Sequence, residues 1–330
     1  MKTPVPSLTV VMPALNSARW LPAHLASMQP WLELAEEIIV VDSASTDDTV
    51  ALIQAGIQHP GLRVLQHPRG LYQSWNFGLQ QVRTKYVYIS TVGDAMTRAG
   101  LEHMLAVAEK LACDVVMSKP RSITYDDQPL DDAGYWPIVD LLDTLDVTAP
   151  RRVTGLELMI FALLHIPSGI LGSSASNLYR AEVLQRSPFP TGYGTTGDAA
   201  WVISQAFAYQ FAVTPEIFST FRHHPKAYSA KEYEVLDLSE RLFQLACATL
   251  DQQPGVAGST AASPSQLDLN QLLTAAREEA EWRVRLDAQR QRKLPWIFNP
   301  AAWHARAKRD ATRRAVHAHK QTLRARLKEQ

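Results

Sequence analysis

Residues 37–50, EIIVVDSASTDDTV, join a short apolar run directly to a polar cluster. The run from Ile38 to Val41 is rich in β-branched residues and is typical of a buried strand. Asp42 ends this run, and residues 43–48 supply turn-forming side chains before a helical pattern that carries Val50 and Ile53. The stretch therefore predicts a strand, a polar loop and a helix, the repeating unit of a sheet covered by helices.

The same unit recurs on both sides of this stretch. Apolar runs predict strands at residues 8–12, 62–65, 86–90 and 114–118. We expect Asn16 or Ser17 to cap the helix after the first strand, and Thr97 the helix after the fourth. The alternation predicts an α/β fold with a mainly parallel, Rossmann-like sheet and helices on both faces.

Polar side chains follow three of these strands where the strands end. Asn16, Asp42 and Asp94 come after the first, second and fourth strands. Ligands of open parallel sheets bind beyond the carboxyl ends of the strands, so the three side chains are candidates for one site.

The pattern changes after Pro120. Residues 121–155 are acidic and punctuated by proline, which predicts a loop-rich insertion, and an α/β rhythm resumes over residues 156–240. Residues 252–266 are rich in Gly, Ala, Ser and Pro, a composition typical of a flexible linker. Helical patterns occupy residues 267–292 and 301–328 and predict a C-terminal helical extension.

Charge is balanced over the whole chain and uneven along it. The 330 residues contain 33 Lys or Arg and 33 Asp or Glu. Residues 271–330 hold 15 of the basic and 6 of the acidic residues, so an acidic body precedes a basic tail. We weigh two interpretations of the tail equally: peripheral contact with anionic lipid beside a lipid-linked acceptor, or packing against the acidic body or a second subunit as a homo-oligomer. No nucleic-acid motif accompanies the basic charge, so no nucleic-acid partner is predicted.

Two cysteines, Cys113 and Cys247, are too far apart in sequence to form a metal-binding pattern. The most apolar region, residues 156–171, is interrupted by charged and proline residues and is shorter than the roughly 20 residues of a membrane span. The N-terminus lacks the pattern of a signal peptide. These features predict a cytoplasmic protein. The alternative is a peripheral protein whose tail contacts the inner face of the membrane.

Five segments occur in a fixed order between residues 7 and 230. They are VVMPALNSARWLPAHLASM (10–28), IIVVDSASTDDTV (38–50), RGLYQSWNFGLQQVRTKYVYISTVGD (69–94), SSASNLYRAEVL (173–184) with TGYGTTGDAAWVISQA (191–206), and FRHHPKAYS (221–229). In motif and spacing they resemble the family 2 glycosyltransferases, which have the GT-A fold.

The resemblance implies a GT-A glycosyltransferase domain over residues 1–250, with a nucleotide-sugar-binding part (1–120) and an acceptor-binding part (121–250). A linker (251–266) and a basic helical extension (267–330) would follow. The implied reaction moves a sugar from a nucleotide-diphosphate-sugar, by default UDP-linked, to a hydroxyl of a glycan or lipid-linked acceptor. It would invert the anomeric centre, need Mn²⁺ or Mg²⁺, and serve glycan or polysaccharide biosynthesis.

The chemistry of sugar transfer requires a cationic group on the departing diphosphate and a base on the acceptor hydroxyl. A lone carboxylate can anchor a hard cation when phosphate oxygens complete its coordination. Asp94 is the candidate ligand, and the resemblance adds His224 as a second ligand and Asp198 as the base. Family members carry two or more acids where this chain has Val92-Gly93-Asp94. For Asp94 and Asp198, the structural alternative is a helix cap.

The resemblance also places a set of residues against the nucleotide-sugar: Pro13, Ala14, Asn16, Asp42, Ser43, Arg69, Gly70, Asn76, Gly93 and Asp94. For Asp42 the alternative is a turn-forming role, and for Arg69 it is a salt bridge. Asp47 is predicted to be the N-cap of the second helix, with Asp48 in its first turn. Tyr72, Trp75 and Trp201 are aromatic residues at helical spacing, a pattern that favours the core over sugar stacking.

Two other functions compete with sugar transfer. The reduced metal motif allows a non-catalytic nucleotide-sugar-binding or assembly protein on the same scaffold. A nucleotidyltransferase is disfavoured, because the N-terminus lacks the Gly-rich basic signature usual in such enzymes.

Overall fold

The computed structural model describes residues 7–131, 136–223, 232–253, 264–290 and 300–328. Its strands are β1 (Leu8–Ala14), β2 (Glu37–Asp42), β3 (Leu62–Gln66), β4 (Tyr86–Ile89), β5 (Ala95–Met96), β6 (Val115–Met117), β7 (Arg121–Ile123), β8 (Arg151–Val153), β9 (Asn177–Arg180), β10 (Phe211–Val213) and β11 (Ser219–Arg222). Its helices are α1 (Leu21–Met28), α2 (Thr49–Gly56), α3 (Leu71–Leu79), α4 (Arg98–Leu111), α5 (Pro137–Thr144), α6 (Gly155–His165), α7 (Ala181–Arg186), α8 (Gly197–Gln205), α9 (Glu232–Asp251), α10 (Pro264–Arg290) and α11 (Pro300–Lys328). Short 3₁₀ turns occupy Gln29–Leu34, Ser174–Ser176 and Thr191–Thr196.

The main sheet has eight strands within the described residues, in the order β3-β2-β1-β4-β9-β6-β10-β8. Strands β1 to β4 pair in parallel, as do β6 and β10, whereas β9 runs antiparallel to both β4 and β6. Strand β8 is antiparallel to β10 at the edge. The prediction of a mainly parallel sheet is confirmed, and the carboxyl ends of β1, β2 and β4 lie side by side.

Helices bury both faces of this sheet. Alternate residues of β1 point to opposite cores, with Val11 in one hydrophobic cluster and Val10 and Met12 in the other. Strand β2 repeats the pattern, with Ile39 and Val41 on one face and Ile38 and Val40 on the other. Burial on both faces explains why these strands are continuous apolar runs in sequence.

A smaller sheet holds the loop that follows β4. Strand β11 lies between β5, with which it is antiparallel, and β7, with which it is parallel. Residues 94–96 are thereby fixed beside Arg222. Gly93 has a φ of 105°, in the region that favours glycine, where the chain turns from β4 towards β5.

The predicted strand positions agree with the structure, and Thr97 caps α4 by accepting a hydrogen bond from the Gly100 amide. The predicted cap of the first helix is wrong: α1 begins at Leu21, and neither Asn16 nor Ser17 occupies its N-cap. The polar side chains of this loop bind the neighbouring loop instead. The loop-rich insertion at residues 121–155 is also more ordered than predicted, because it contains β7, α5 and β8.

The two C-terminal helices pack on the body of the protein. Leu272, Ala276 and Ala280 of α10, with Val316 and Leu323 of α11, belong to the same hydrophobic cluster as α6 and α8. Ion pairs join α11 to the acidic body, including those of Lys320 with Asp140 and of Arg324 with Asp146. The predicted linker falls mostly on residues 254–263, which lie outside the described residues.

Within the described part of the chain, no helix is long and apolar enough to span a bilayer. Helix α6, which covers most of the apolar region 156–171, does not meet this criterion either. Its residues from Leu156 to Leu163 are buried within the protein.

Helix α3 packs on the sheet through Gly78. A Cβ atom at this position would lie 2.7 Å from Val41 Cγ2 and 2.9 Å from Val11 Cγ1, both in rigid strands. We expect Gly78→Ala to destabilise the protein by about 1–3 kcal/mol, as overpacking of a core does. Urea unfolding measures this. Gly192→Ala is the control, since the nearest atom to its Cβ would be the flexible Arg241 side chain at 3.8 Å. Equal stability of the two variants would contradict the prediction.

Candidate active site

The loops that follow β1 and β2 are locked together by side chains. The Asn16 side-chain oxygen accepts a hydrogen bond from the Thr46 amide at 2.8 Å, and the Asn16 amide donates to Ser45 Oγ at 2.9 Å. Asp47 accepts from the amides of Ala18 and Thr49, both at 3.1 Å. Asp47 thus connects the two loops at the start of α2, but the N-cap residue of this helix is Asp48, so the prediction of Asp47 as the N-cap is wrong. These contacts fix the edge of the sheet on which the candidate site is built.

A cavity of about 200 Å³ opens at this edge. Its lining includes four of the residues predicted to face the donor: Pro13, Ala14, Ser43 and Gly70. The other lining residues are Leu15, Ser17, Thr91 and Val92, with Leu71, Ser74 and Trp75 of α3. Ser43 and Ser74 are hydrogen-bonded to each other at 2.7 Å, which joins the β2 loop to α3.

The other predicted donor residues do not line this cavity. Asp42 is 1% exposed, and its carboxylate accepts from the Ser45 amide at 3.2 Å, within its own loop. Arg69 is exposed beside Gly70. Asn76 binds the backbone of Phe189 twice, donating to its carbonyl at 2.8 Å and accepting from its amide at 3.0 Å. Asn76 therefore holds α3 against the segment that leads to Asp198.

The Asp94 carboxylate is buried and receives three hydrogen bonds. Thr91 and Ser173 donate their hydroxyls to Oδ2 at 2.9 and 2.8 Å, and the Arg222 amide donates to Oδ1 at 3.0 Å. Burial raises the pKa of Asp94 to about 6 in spite of these donors. The carboxylate is thus held in one orientation, at the junction of the β4 loop, the segment before β9, and β11.

Two further side chains fix the backbone around Asp94. His24, on the buried side of α1, bridges the Asp94 carbonyl at 2.9 Å and Ser90 Oγ at 3.1 Å. Burial lowers the pKa of His24 to about 4, so the ring is neutral at physiological pH. The Arg222 guanidinium contacts the carbonyls of Gly93 and Tyr125 and pairs with Asp127 at 2.5 Å.

The acceptor positions left on the Asp94 carboxylate decide whether a divalent cation fits there. A carboxylate offers about four acceptor positions, and three are occupied here, which leaves one on Oδ1. The described residues contain no cluster of three or more potential ligands, and His224 lies outside them. This arrangement fits a cation that takes most of its ligands from substrate phosphates and water, as Mg²⁺ commonly does.

Asp198 lies in the first turn of α8, next to the glycine-bearing segment 191–196. Tyr72 donates its hydroxyl to Asp198 Oδ1 at 3.0 Å, and the Ala199 amide donates to the same oxygen at 2.8 Å. Burial raises the pKa of Asp198, while the amide and Tyr72 act in the opposite direction. A carboxylate with a raised pKa is a better proton acceptor than an ordinary one.

One short segment contacts both carboxylates. At one end, a Cβ on Gly169 would lie 3.1 Å from Asp198 Oδ2, and at the other end Ser173 binds Asp94. The Gly172 amide bonds back to the Gly169 carbonyl at 3.2 Å, a turn that keeps the α-carbons of Gly169 and Gly172 within about 7 Å. One more residue adds about 3.8 Å, so the two carboxylates lie against the two ends of one segment of five residues.

Sequence reasoning missed four residues that hold these groups: Tyr72, Ser173, Arg222 and His24. Tyr72 was assigned to the core, and it is only 4% exposed, but its hydroxyl contacts Asp198. Tyr72, Ser173 and Arg222 all fall within the quoted motifs. His24 also falls within them, in the segment 10–28, where its only further signal is its place on the apolar side of α1.

Comparison with known proteins adds independent information. Residues 9–141 match the model of the glycosyl transferase family 2. Residues 1–349 of TarS from S. aureus, solved with UDP-GlcNAc, share 16% identity and a TM-score of 0.56, over 96% of this chain and 92% of that chain. The mannosyltransferase PcManGT from Pyrobaculum calidifontis, solved with GDP-Man and Mn²⁺, shares 17% identity and a TM-score of 0.53, over 98% and 87%. None of the curated proteins matches the chain in sequence.

The sheet and these structural similarities define a GT-A fold, as the sequence predicted. Residues 9–141 carry a glycosyltransferase family 2 domain, and the protein is a glycosyltransferase.

The hydrogen bond from Tyr72 stabilises the ionised form of Asp198. Its removal in Tyr72→Phe should raise the pKa of Asp198, because the charged form loses a donor. If the ionised carboxylate is the active form, the acidic limb of the pH profile of kcat/KM will move to higher pH. Tyr209→Phe is the matched control, since its hydroxyl bonds Ser187 instead. An unchanged limb in Tyr72→Phe would contradict the assignment.

Proposed function

We propose that the protein transfers a sugar from a nucleotide-diphosphate-sugar to an acceptor hydroxyl by an inverting reaction, with Asp198 as the base. The observation that supports this most is the pair of oriented carboxylates, Asp94 and Asp198, at the two ends of the segment from Gly169 to Ser173, with Asp94 in the loop that follows the parallel strand β4. Ligands bind at this place in sheets of this type.

In the proposed mechanism, Asp198 accepts the proton of the acceptor hydroxyl. The hydroxyl oxygen attacks the anomeric carbon from the face opposite the nucleotide, and the bond to the diphosphate breaks. Tyr72 and the Ala199 amide keep one carboxylate oxygen occupied, so the other oxygen, Oδ2, is the proposed proton acceptor. Correct placement of such a base contributes about 10²–10⁴-fold in rate.

Asp94, with His224 as a second ligand, would hold a divalent cation, Mn²⁺ or Mg²⁺. Such a cation would neutralise charge that develops on the departing diphosphate. Thr91, Ser173 and the Arg222 amide orient the Asp94 carboxylate towards this task.

For the donor, the cavity lined by Ala14, Ser43 and Gly70 is the proposed nucleotide site. Many of its lining residues are small, including Ala14, Ser43, Gly70 and Ser74, and small residues allow a planar base and ribose to approach closely. TarS is solved with UDP-GlcNAc and PcManGT with GDP-Man, so both UDP- and GDP-sugars are candidates, with UDP as the first choice.

Asp198→Asn should lower kcat by about a thousandfold without weakening nucleotide binding, because the amide cannot accept the proton. The measurement is nucleoside diphosphate release from UDP- and GDP-sugars with a panel of acceptor glycans. Asp126→Asn, which removes an exposed carboxylate, is the control and should keep full activity. Undiminished turnover in Asp198→Asn would remove Asp198 as the base.

Donor binding can be measured apart from turnover. A matching nucleotide-sugar at about 100 times its Kd, with Mn²⁺ present, should stabilise the protein by about 2.7 kcal/mol in a thermal-unfolding assay. Asp94→Ala should lose the part of this gain that depends on Mn²⁺. Stabilisation by the donor without turnover on any acceptor would instead favour the non-catalytic nucleotide-sugar-binding function.

A further inference from the structure

A second and larger cavity lies where the C-terminal helices meet the body of the protein. It has a volume of about 580 Å³, within the range of small-molecule sites. Residues of the α5–α6 region form one wall, and α10 and α11 form the other. Its lining is Asp140, Leu164, His165, Glu279, Arg283, Arg309, Arg313, Val316, His317 and Lys320.

The charges of this lining do not balance. Four permanent cations face two carboxylates, an excess of two positive charges. Lys320 and His165 both contact Asp140, and Arg283 pairs with Glu279 at 3.3 Å. Burial raises the pKa of Asp140, but His165 and Lys320 outweigh burial and lower it to about 2, so Asp140 is ionised.

Among the lining residues, Arg309 and Arg313 are therefore the cations that have no carboxylate partner within the lining. Within the described residues, Arg309 forms one ion pair, at 3.7 Å with Asp310, which lies outside the lining, and Arg313 forms none. The Nε atoms of Arg283 and Arg309 are buried and have no hydrogen-bond partner in the described part of the chain. Burial lowers the pKa of Arg283, and Glu279 and Asp287 act in the opposite direction. The charges of Arg309 and Arg313 add to the lowering, which indicates repulsion among the three arginines.

We propose that this cavity binds a phosphate-bearing ligand between the α5–α6 region and the C-terminal helices. A phosphate monoester carries nearly two negative charges at neutral pH, equal to the excess, whereas one carboxylate would cancel only half of it. Guanidinium groups match phosphate oxygens in geometry, and the ligand would relieve the repulsion among the arginines. The proposal is independent of the function assigned to Asp94 and Asp198.

The phosphate could come from a free molecule or from the headgroup of a lipid. Both sources offer the same group to the arginines, so they are separated by experiment.

Arg283 already donates to the carbonyls of Leu163 and Leu164 at the end of α6, and it is unsuitable for substitution. Arg313 is exposed on α11 and can be changed without disturbing the core.

The test measures the melting temperature of the full chain against inorganic phosphate, with sodium chloride holding ionic strength constant. We expect phosphate to stabilise the unaltered protein and Arg313→Gln to weaken its apparent Kd by about tenfold, the effect of losing one charged hydrogen bond. Arg314→Gln is the matched control: it removes the same charge from the adjacent residue, which does not line the cavity. The double variant Arg309→Gln/Arg313→Gln should bind still more weakly.

Sedimentation with phosphatidylcholine vesicles, with and without phosphatidic acid, identifies the source. Binding to phosphatidic acid that Arg313→Gln loses and Arg314→Gln keeps would support the site with a lipid headgroup as its ligand. A phosphate effect with the same dependence on Arg313, but without vesicle binding, would support it with a free phosphate compound. Equal responses of Arg313→Gln and Arg314→Gln, or no response of the unaltered protein in either assay, would overturn the proposal.

Discussion

The burial of the Asp94 carboxylate is the constraint on which the site depends. Burial of a charge is unfavourable unless donors surround it, and these donors come from three separate parts of the chain: Thr91, Ser173 and the Arg222 amide. The raised pKa, about 6 against an ordinary 3.8, means that the ionised carboxylate, relative to its protonated form, is disfavoured by roughly 3 kcal/mol more in the folded protein than in the unfolded chain. The folded protein keeps a proton here that the unfolded chain releases near pH 4. Stability in the absence of ligand is therefore lost as pH rises from about 4 to about 6.

Such a cost is typical of sites that are completed by a ligand. The small sheet of β5, β11 and β7 has few residues, yet it brings Arg222 to Asp94 across 128 positions of sequence. The segment from Gly169 to Ser173 makes the corresponding connection to Asp198. Burial of the carboxylates thus lowers the free energy of unfolding of the protein, but it preserves the geometry that the reaction needs.

The sequence predicted the fold well where local pattern and tertiary burial agree. Strands such as β2 are apolar on both faces, so their position follows from composition alone. The cap of α1 was missed because Asn16 forms its hydrogen bonds across 30 positions, to Thr46, and no local rule contains that contact. Tyr72 was assigned to the core for the same kind of reason: its ring is buried, and only the fold reveals that its hydroxyl contacts Asp198. Motif resemblance selected the carboxylates but could not identify the side chains that orient them.

The contact of Arg283 with the last carbonyls of α6 has an evolutionary consequence. Helix α6 ends where the chain begins its approach to Gly169 and Ser173, so an arginine of the C-terminal region secures the helix that leads into the segment contacting both carboxylates. The helical appendage is consequently not an interchangeable module. A recombination event that exchanged it for the tail of a distant relative would be tolerated only if the incoming sequence supplied an equivalent cation at this point.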